Sequence, residues 1–398
     1  MPEPAGQVRS QPPERDRLGP GRVPTGTGRL YSLDLLRAIA SLIVFYVDLS
    51  WWFRAHGGPT SVTALVNRWV VTPMHLSQDF SFLGVALLFL ISGFVISMVA
   101  MRETAAEFAI RRVIRVFPAL TVAALLAWVL VATGGYRIPG GHAAVGLQDF
   151  LLSSVLANFF VPGHAALVAV AWTLVIQVAI YAMVCALIPV YRRTPWLVIG
   201  IEIAVCAGVL AMVRNLHGLP ISTVATIGAF GTAVVLGQVL WAMWTRGLPL
   251  WAGAGLGLGC WIVFLWGDAL GYRRTGHSYP LTLFVALLIV LLALLAGDLI
   301  RPNRVVTWFA SRSYSTYLLH QIVAFPVLAA TQSWTRWPAG LLAVGCTFVM
   351  VEILYRTVER PAGRLAPALL ARTKRARDDG GPPTTTPAGE PAASGAPG

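Results

Sequence analysis

The feature that most constrains this chain is the recurrence of apolar windows of membrane length. Stretches near 31–53, 80–101, 117–135, 166–190, 195–213, 221–244, 249–271, 278–300, 313–331 and 338–357 each hold about 20 predominantly apolar residues, enough to cross hydrocarbon as a helix. Within a bilayer every backbone polar group must be satisfied internally, and a helix does this within one segment. The expectation is an all-α fold, a polytopic membrane helix bundle with about ten transmembrane helices. Composition excludes the obvious alternative. At 56% hydrophobic and 12% charged residues, with mean hydropathy +0.69, the 398-residue chain is too apolar for a soluble globule.

The formal net charge of +13 would suit a nucleic-acid binder, but the basic residues are dispersed over connecting loops and form no patch with interleaved aromatics. No nucleic-acid partner is expected. Their placement follows the positive-inside rule instead. With the N-terminus inside, only Arg54, Arg68, Arg137, Arg214, Arg273, Arg274 and Arg336 fall on the outer side, and Arg37 lies within the first window. Both termini are therefore expected in the cytosol, and the protein is expected to be multi-pass in the cell membrane, with the lipid bilayer as its first partner.

Three segments are expected: a disordered basic arm over 1–30, a membrane domain over 31–364, and a disordered cytosolic tail over 365–398. The arm is rich in Pro, Gly and Arg with no apolar core, so it does not read as a signal peptide. The tail is low in complexity. All four cysteines lie inside apolar windows without metal-ligand spacing, and neither a metal site nor a structural disulfide is expected.

Against this background the polar residues inside the windows stand out, because charge in a membrane segment is expensive and marks function by default. The first window carries Asp34 and Arg37 near its start and Asp48 deep inside. Eleven residues make almost three helical turns, so Arg37 and Asp48 share one face roughly 16 Å apart. In the second window Ser92-Gly93-Phe94 offers a small hydroxyl and a glycine where either a helix or a ligand approaches closely. Arg111, Arg112 and Arg115 follow, reading either as a phosphate grip or as a topological anchor. In WTLVIQVAIY, Trp172 is followed by Thr173, Gln177 and Tyr181 at intervals of four, a polar stripe on one helix face. Glu202 is isolated, His320 stands in an apolar helix, and Glu359-Arg360-Pro361 reads as a helix stop.

Taken in order, LDLLRAIA, GVALLFLISGF, RRVIRVFP, WTLVIQVAIY, SYSTYLLH and VERP resemble, from about Tyr31 to Arg364, the membrane acyltransferase family 3. Members of that ten-helix family O-acylate sugars, polysaccharides, lipids and antibiotic-like metabolites. The first helix of the family carries an arginine followed eleven positions later by a histidine. Arg37 matches the arginine, and Asp48 stands where the histidine is expected. The fourth-helix motif has a glutamate where this chain has Gln177, and the acid common after Gly-Val in the second helix is Ala86 here.

The resemblance implies an integral membrane acyltransferase moving an acyl group from acyl-CoA, a co-substrate and not a resident cofactor, to a hydroxyl of a sugar, glycan or secondary metabolite. Arg37, Ser92, Arg111, Arg112 and Arg115 are then expected at the donor, and Trp172, Gln177 and Tyr181 at the substrate. Asp48 would activate the acceptor hydroxyl, with His320 assisting. The alternative is a non-catalytic relative, altered at Asp48 and Gln177, that binds, exports or scaffolds an amphipathic metabolite or glycolipid.

Overall fold

The computed structural model describes residues 30–58, 60–138, 145–216, 218–245, 247–271, 279–367 and 370. The basic arm before Leu30, the Gly140-Gly141-His142 segment, and the tail from 371 onward lie outside the described residues. Twelve α-helices occupy the rest: α1 Tyr31–Ala55, α2 Ser61–Val66, α3 Leu83–Ala100, α4 Ala105–Ala132, α5 Leu147–Ser154, α6 Trp172–Tyr191, α7 Pro195–Val213, α8 Leu219–Trp244, α9 Leu250–Ala269, α10 Tyr279–Leu295, α11 Arg304–Ala330 and α12 Arg336–Leu354. Each of the ten apolar windows thus coincides with a helix, and no strand occurs among the described residues.

Seven of these helices are long and apolar enough to cross a membrane by length and composition. α10 is apolar but shorter, with 17 residues. α1 and α11 have the length, at 25 and 27 residues, but their apolar character is diluted by charged and hydroxyl groups. The two helices with the weakest membrane signal are the ones that carry Asp48 and His320.

The bundle is organised around α3 and α8, whose apolar windows are 72% and 78% buried, against 28–39% for the other spanning candidates. Glycine explains how close these two helices come. A Cβ on Gly93 would run into the Val234 carbonyl oxygen, and one on Gly237 into the carbonyl of Leu90. The small-residue contacts let two backbones meet, the usual route to helix association in lipid. α7 and α9 flank α8, while α1, α10 and α6 pack on α3, and α11 joins α1 to α12. Outward faces carry exposed Leu258, Ile262, Leu292, Leu341 and Val349, as lipid contact requires.

Three local readings are corrected by the coordinates. The basic segment around Arg111 and the third window form one helix, because Thr104 and Glu107 build a capping box that starts α4 at Ala105. Pro118 sits inside it and costs only one backbone bond. α11 begins at Arg304, where the Asn303 side chain accepts from the Val305 N–H at 2.8 Å, so the site-bearing part lies in mid-helix. Pro361 does not stop the last helix. A π-turn over Tyr355–Glu359 re-routes the backbone hydrogen bonds ahead of it, and helix continues to Pro367.

The segment before α6 is held by a clip outside the spanning helices. Asp149 accepts from the N–H groups of Ala165 and Gly146, each at 2.8 Å, and lies 3.1 Å from His164 Nδ1. Burial alone would raise its carboxyl, but these bonds prevail and hold it below the usual carboxylate range. The clip fixes the chain that leads into Trp172 and Thr173.

Candidate functional site

Asp48 on α1 and His320 on α11 meet in the middle of the bundle. His320 Nε2 lies 2.6 Å from Asp48 Oδ2, and the Gln321 amide donates to the same oxygen at 2.8 Å. His320 Nδ1 faces the Thr316 carbonyl at 3.1 Å, and because a carbonyl only accepts, this nitrogen carries a proton. A single further proton then lies between Nε2 and Oδ2, and the pair is electrically neutral as a whole in either arrangement. His320 is fully enclosed, while the Asp48 side chain is 21% exposed. Oδ2 is occupied, and Oδ1 makes no hydrogen bond to the described residues. The carboxylate is in front and the imidazole behind it.

One turn before His320, Tyr317 borders a cavity lined by α1, α3, α4, α6 and α11. Its hydroxyl donates to the Val170 carbonyl at 2.8 Å and meets Thr173 Oγ1 at 2.6 Å, which ties α11 to the start of α6. The cavity gathers Arg37, Ser92, Arg112, Arg115, Gln177 and Tyr181 from four separate stretches of sequence. Tyr181 donates to Gln177 Oε1 at 3.3 Å, so the Ser92 hydroxyl, at 3.2 Å from the Tyr181 oxygen, is the donor in that contact.

The arginines set the electrostatics. Arg37 lies 3.5 Å from Asp34, one turn away on its own helix. Arg112 and Arg115 have no carboxylate within ion-pair distance among the described residues. Arg112 instead lies over the rings of Phe108 and Tyr181, at 5.1 and 5.7 Å, and its buried Nε has no hydrogen-bond partner. Three guanidinium groups around one cavity suit an anion. Just outside it, Glu103 pairs with Arg111 at 3.1 Å. Burial pushes the Glu103 carboxyl above its usual value, against the pull of Arg112 and Arg111.

Two residues expected at the site are not brought to this lining. Arg111 is not among the residues lining the cavity and pairs with Glu103 instead. Trp172 packs against Phe89 and Phe230 in an aromatic cluster that continues to Phe82, Phe264 and Tyr279. Gln321 was missed, although a His-Gln pair in the otherwise apolar run LLHQIVAF was a visible signal. Among the described residues no group of three His, Cys, Asp or Glu is arranged to hold a metal ion, and the four cysteines are free.

A polytopic helical bundle with a carboxylate–imidazole pair and an arginine-lined cavity in its interior defines a multi-pass membrane protein. The model of the acyltransferase domain family matches residues 30–356, and the chain belongs to that family. Nodulation protein 10 of Rhizobium leguminosarum bv. viciae is 26% identical over 380 residues, covering 87% of this chain and 96% of the relative. No solved structure matches the chain.

Proposed function

We propose that this protein is a multi-pass enzyme of the cell membrane, with both termini in the cytosol, that moves an acyl group from acyl-CoA to a hydroxyl of a sugar, glycan or secondary metabolite. The observation that carries the reading is the Asp48–His320 pair, with Oδ1 of Asp48 open and the arginine-lined cavity beside it. Arg37, Arg112 and Arg115 receive the donor phosphates. Arginine forks suit that chemistry because they offer paired donors and keep their charge.

In the transfer, the acceptor oxygen bonds to the thioester carbonyl carbon while its proton passes to Asp48. The carbon–sulfur bond then breaks, and the leaving thiolate takes that proton back from Asp48. His320 and Gln321 hold Oδ2, so the carboxylate presents Oδ1 to the acceptor in one orientation. His320 also offsets the changing charge of Asp48 across a 2.6 Å hydrogen bond. The imidazole that the family resemblance puts at position 48 is thereby supplied from α11, on the far side of the carboxylate.

The test uses protein purified into nanodiscs, with isotopically labelled acetyl-CoA, free CoA release and a panel of soluble glycosides as acceptors. Turnover that Asp48→Asn abolishes, with acetyl-CoA binding retained, is the expected result. Binding without turnover in the wild type would favour the non-catalytic relative. Unchanged turnover in Asp48→Asn would remove Asp48 from the chemistry.

A further inference from the structure

Two short helices between the long ones are built inside out for loops in water, where polar residues would face outward. The first runs through α2 and a π-turn over Asn67–Val71. Thr63, Asn67 and Val71, four apart, form its inner face, with Thr63 and Val71 buried, while Val62, Leu65 and Trp69 lie on the opposite face. Leu65 and Trp69 are 59% and 66% exposed. The second is α5. Asp149 and Ser153 are buried there, and Leu147, Leu151 and Val155, half a turn round, are each more than half exposed.

The inward polar groups are bonded to the protein itself. Thr63 donates to Ser50 Oγ of α1 at 3.2 Å, and Asn67 exchanges two hydrogen bonds with Asp79, at 2.5 and 3.2 Å. Ser153 donates to the Ala165 carbonyl at 3.3 Å, beside the Asp149 clip. The outward faces are apolar and need a cover.

The ties also set the depth of these helices. Ser50 lies five residues before α1 ends at Ala55, about 8 Å inside it. Beyond the first helix, the Ser77 N–H donates at 2.9 Å to Thr282, in the first turn of α10. Phe150 of α5 lies 6.1 Å from Trp128 between ring centroids, four residues before α4 ends at Ala132. Both short helices thus lie alongside the terminal turns of the long ones, at one end of the bundle, and not beyond them. That is the depth of the interfacial layer of a bilayer, where tryptophan rings concentrate. Arg68 lies over the Trp69 ring at 5.5 Å, an arrangement that lets the guanidinium reach headgroups while the ring stays among acyl chains.

We propose that residues 61–71 and 147–155 lie in the plane of the bilayer, with their apolar faces in the lipid of the outer leaflet. Their partner is a phospholipid surface, and the two helices are neither aqueous loops nor an interface between copies of the chain. Only the name of the leaflet rests on the proposed cytosolic termini. α2 leads into α3 and α5 into α6, so the bilayer grips the chain ahead of the helices that carry Ser92 and Gln177.

The test places a nitrobenzoxadiazole label on Leu65→Cys, on Leu151→Cys and, as a mid-span reference on α9, on Leu258→Cys, each in the full chain in phosphatidylcholine nanodiscs. Labelling of the unsubstituted chain supplies the background from the partly exposed Cys185 and Cys346. The quenchers are phosphatidylcholine carrying a nitroxide near the carbonyl end or near the methyl end of its acyl chain, and, in separate nitroxide-free discs, aqueous dithionite. Positions 65 and 151 should lose most fluorescence to the shallow nitroxide and position 258 to the deep one, with dithionite bleaching 65 and 151 more slowly than the free dye. Bleaching as fast as the free dye, with no nitroxide quenching, would put the faces in water and overturn the proposal. Quenching at 65 and 151 with the depth profile of 258 would overturn the in-plane placement. Protection from both kinds of quencher would give the faces to protein and overturn the lipid partner, and cross-linking between the introduced cysteines of two chains would identify that protein as a second copy.

Discussion

Two carboxylates inside the bundle invite comparison, Asp48 on α1 and Glu202 on α7. Each is bonded to a side chain from another helix, and each lies within a stretch that reads as membrane. Glu202 is fully enclosed, and Gln238 donates to its Oε2 at 2.5 Å. The bonding continues through Tyr191, which lies 3.1 Å from Gln238 Oε1 and 2.7 Å from Ser97 Oγ, to the Gly93 carbonyl. That chain binds α7, α8, α6 and α3 together around a side chain with no exposure. Asp48 has an enclosed histidine behind it and a free oxygen in front. Under the proposed function the same chemical group is a structural tie in one place and a reagent in the other, and access to one oxygen decides which.

The largest expected effect tests that distinction directly. Asp48→Asn keeps the shape but removes the base and the proton shared with His320, so kcat should fall about 10²- to 10⁴-fold with acyl-CoA affinity unchanged. An active Asp48→Asn would make Asp48 a tie like Glu202. His320→Gln should lower kcat by at least about 10-fold, because Asp48 loses the group that holds and balances it. Its effect should be small once Asp48→Asn is in place, since the two act as a unit.

The comparison also explains how much of the molecule was legible. The helices were readable because apolar windows of membrane length have few other folds available, and the polar groups of the site were readable because they violate those windows. Partnership was not. Glu202 has no partner within reach on its own helix, since Gln238 comes from 36 positions away. Asp48 and His320 are 272 positions apart, and only the packing of α11 on α1 joins them. Helical spacing puts Arg111, Arg112 and Arg115 within an arc of about 100° but could not decide which of them looked at a cavity and which at the surface. Ser92-Gly93 shows why the alternatives were hard to separate, because both readings hold at neighbouring residues. Gly93 meets α8, and Ser92 lines the cavity.

A smaller effect sharpens the donor side. Arg112→Ala should raise KM for acyl-CoA about 10-fold with little change in kcat, the loss of one charge-assisted contact made equally in ground and transition states. Arg111→Ala, whose side chain is committed to Glu103, should stay within about two-fold. Equal effects at the two positions would return the cluster to a topological anchor. Gln177→Glu adds a carboxylate to the lining shared with Arg112, and should weaken donor binding if the cavity works by its positive charge. Improved turnover instead would show that the family's glutamate is needed here too.

The smallest expected effect lies at Glu202. Glu202→Gln retains an oxygen to accept from Gln238, so turnover should remain within about two-fold of wild type. Glu202→Ala strands the Gln238 amide in the bundle interior, where a polar pair between membrane helices is worth about 0.6 kcal/mol and at most about 1.7. That should lower the thermal midpoint without lowering kcat per folded molecule. The buried thiols of Cys206 and Cys260 provide the measurement, since a thiol-reactive dye reports their exposure as the bundle opens. A loss of kcat in Glu202→Gln with an unshifted midpoint would break the comparison. It would mean that the tie reaches the chemistry along Tyr191, Ser97 and Gly93 to Ser92 at the cavity wall, and that a closed carboxylate can govern a site it does not touch.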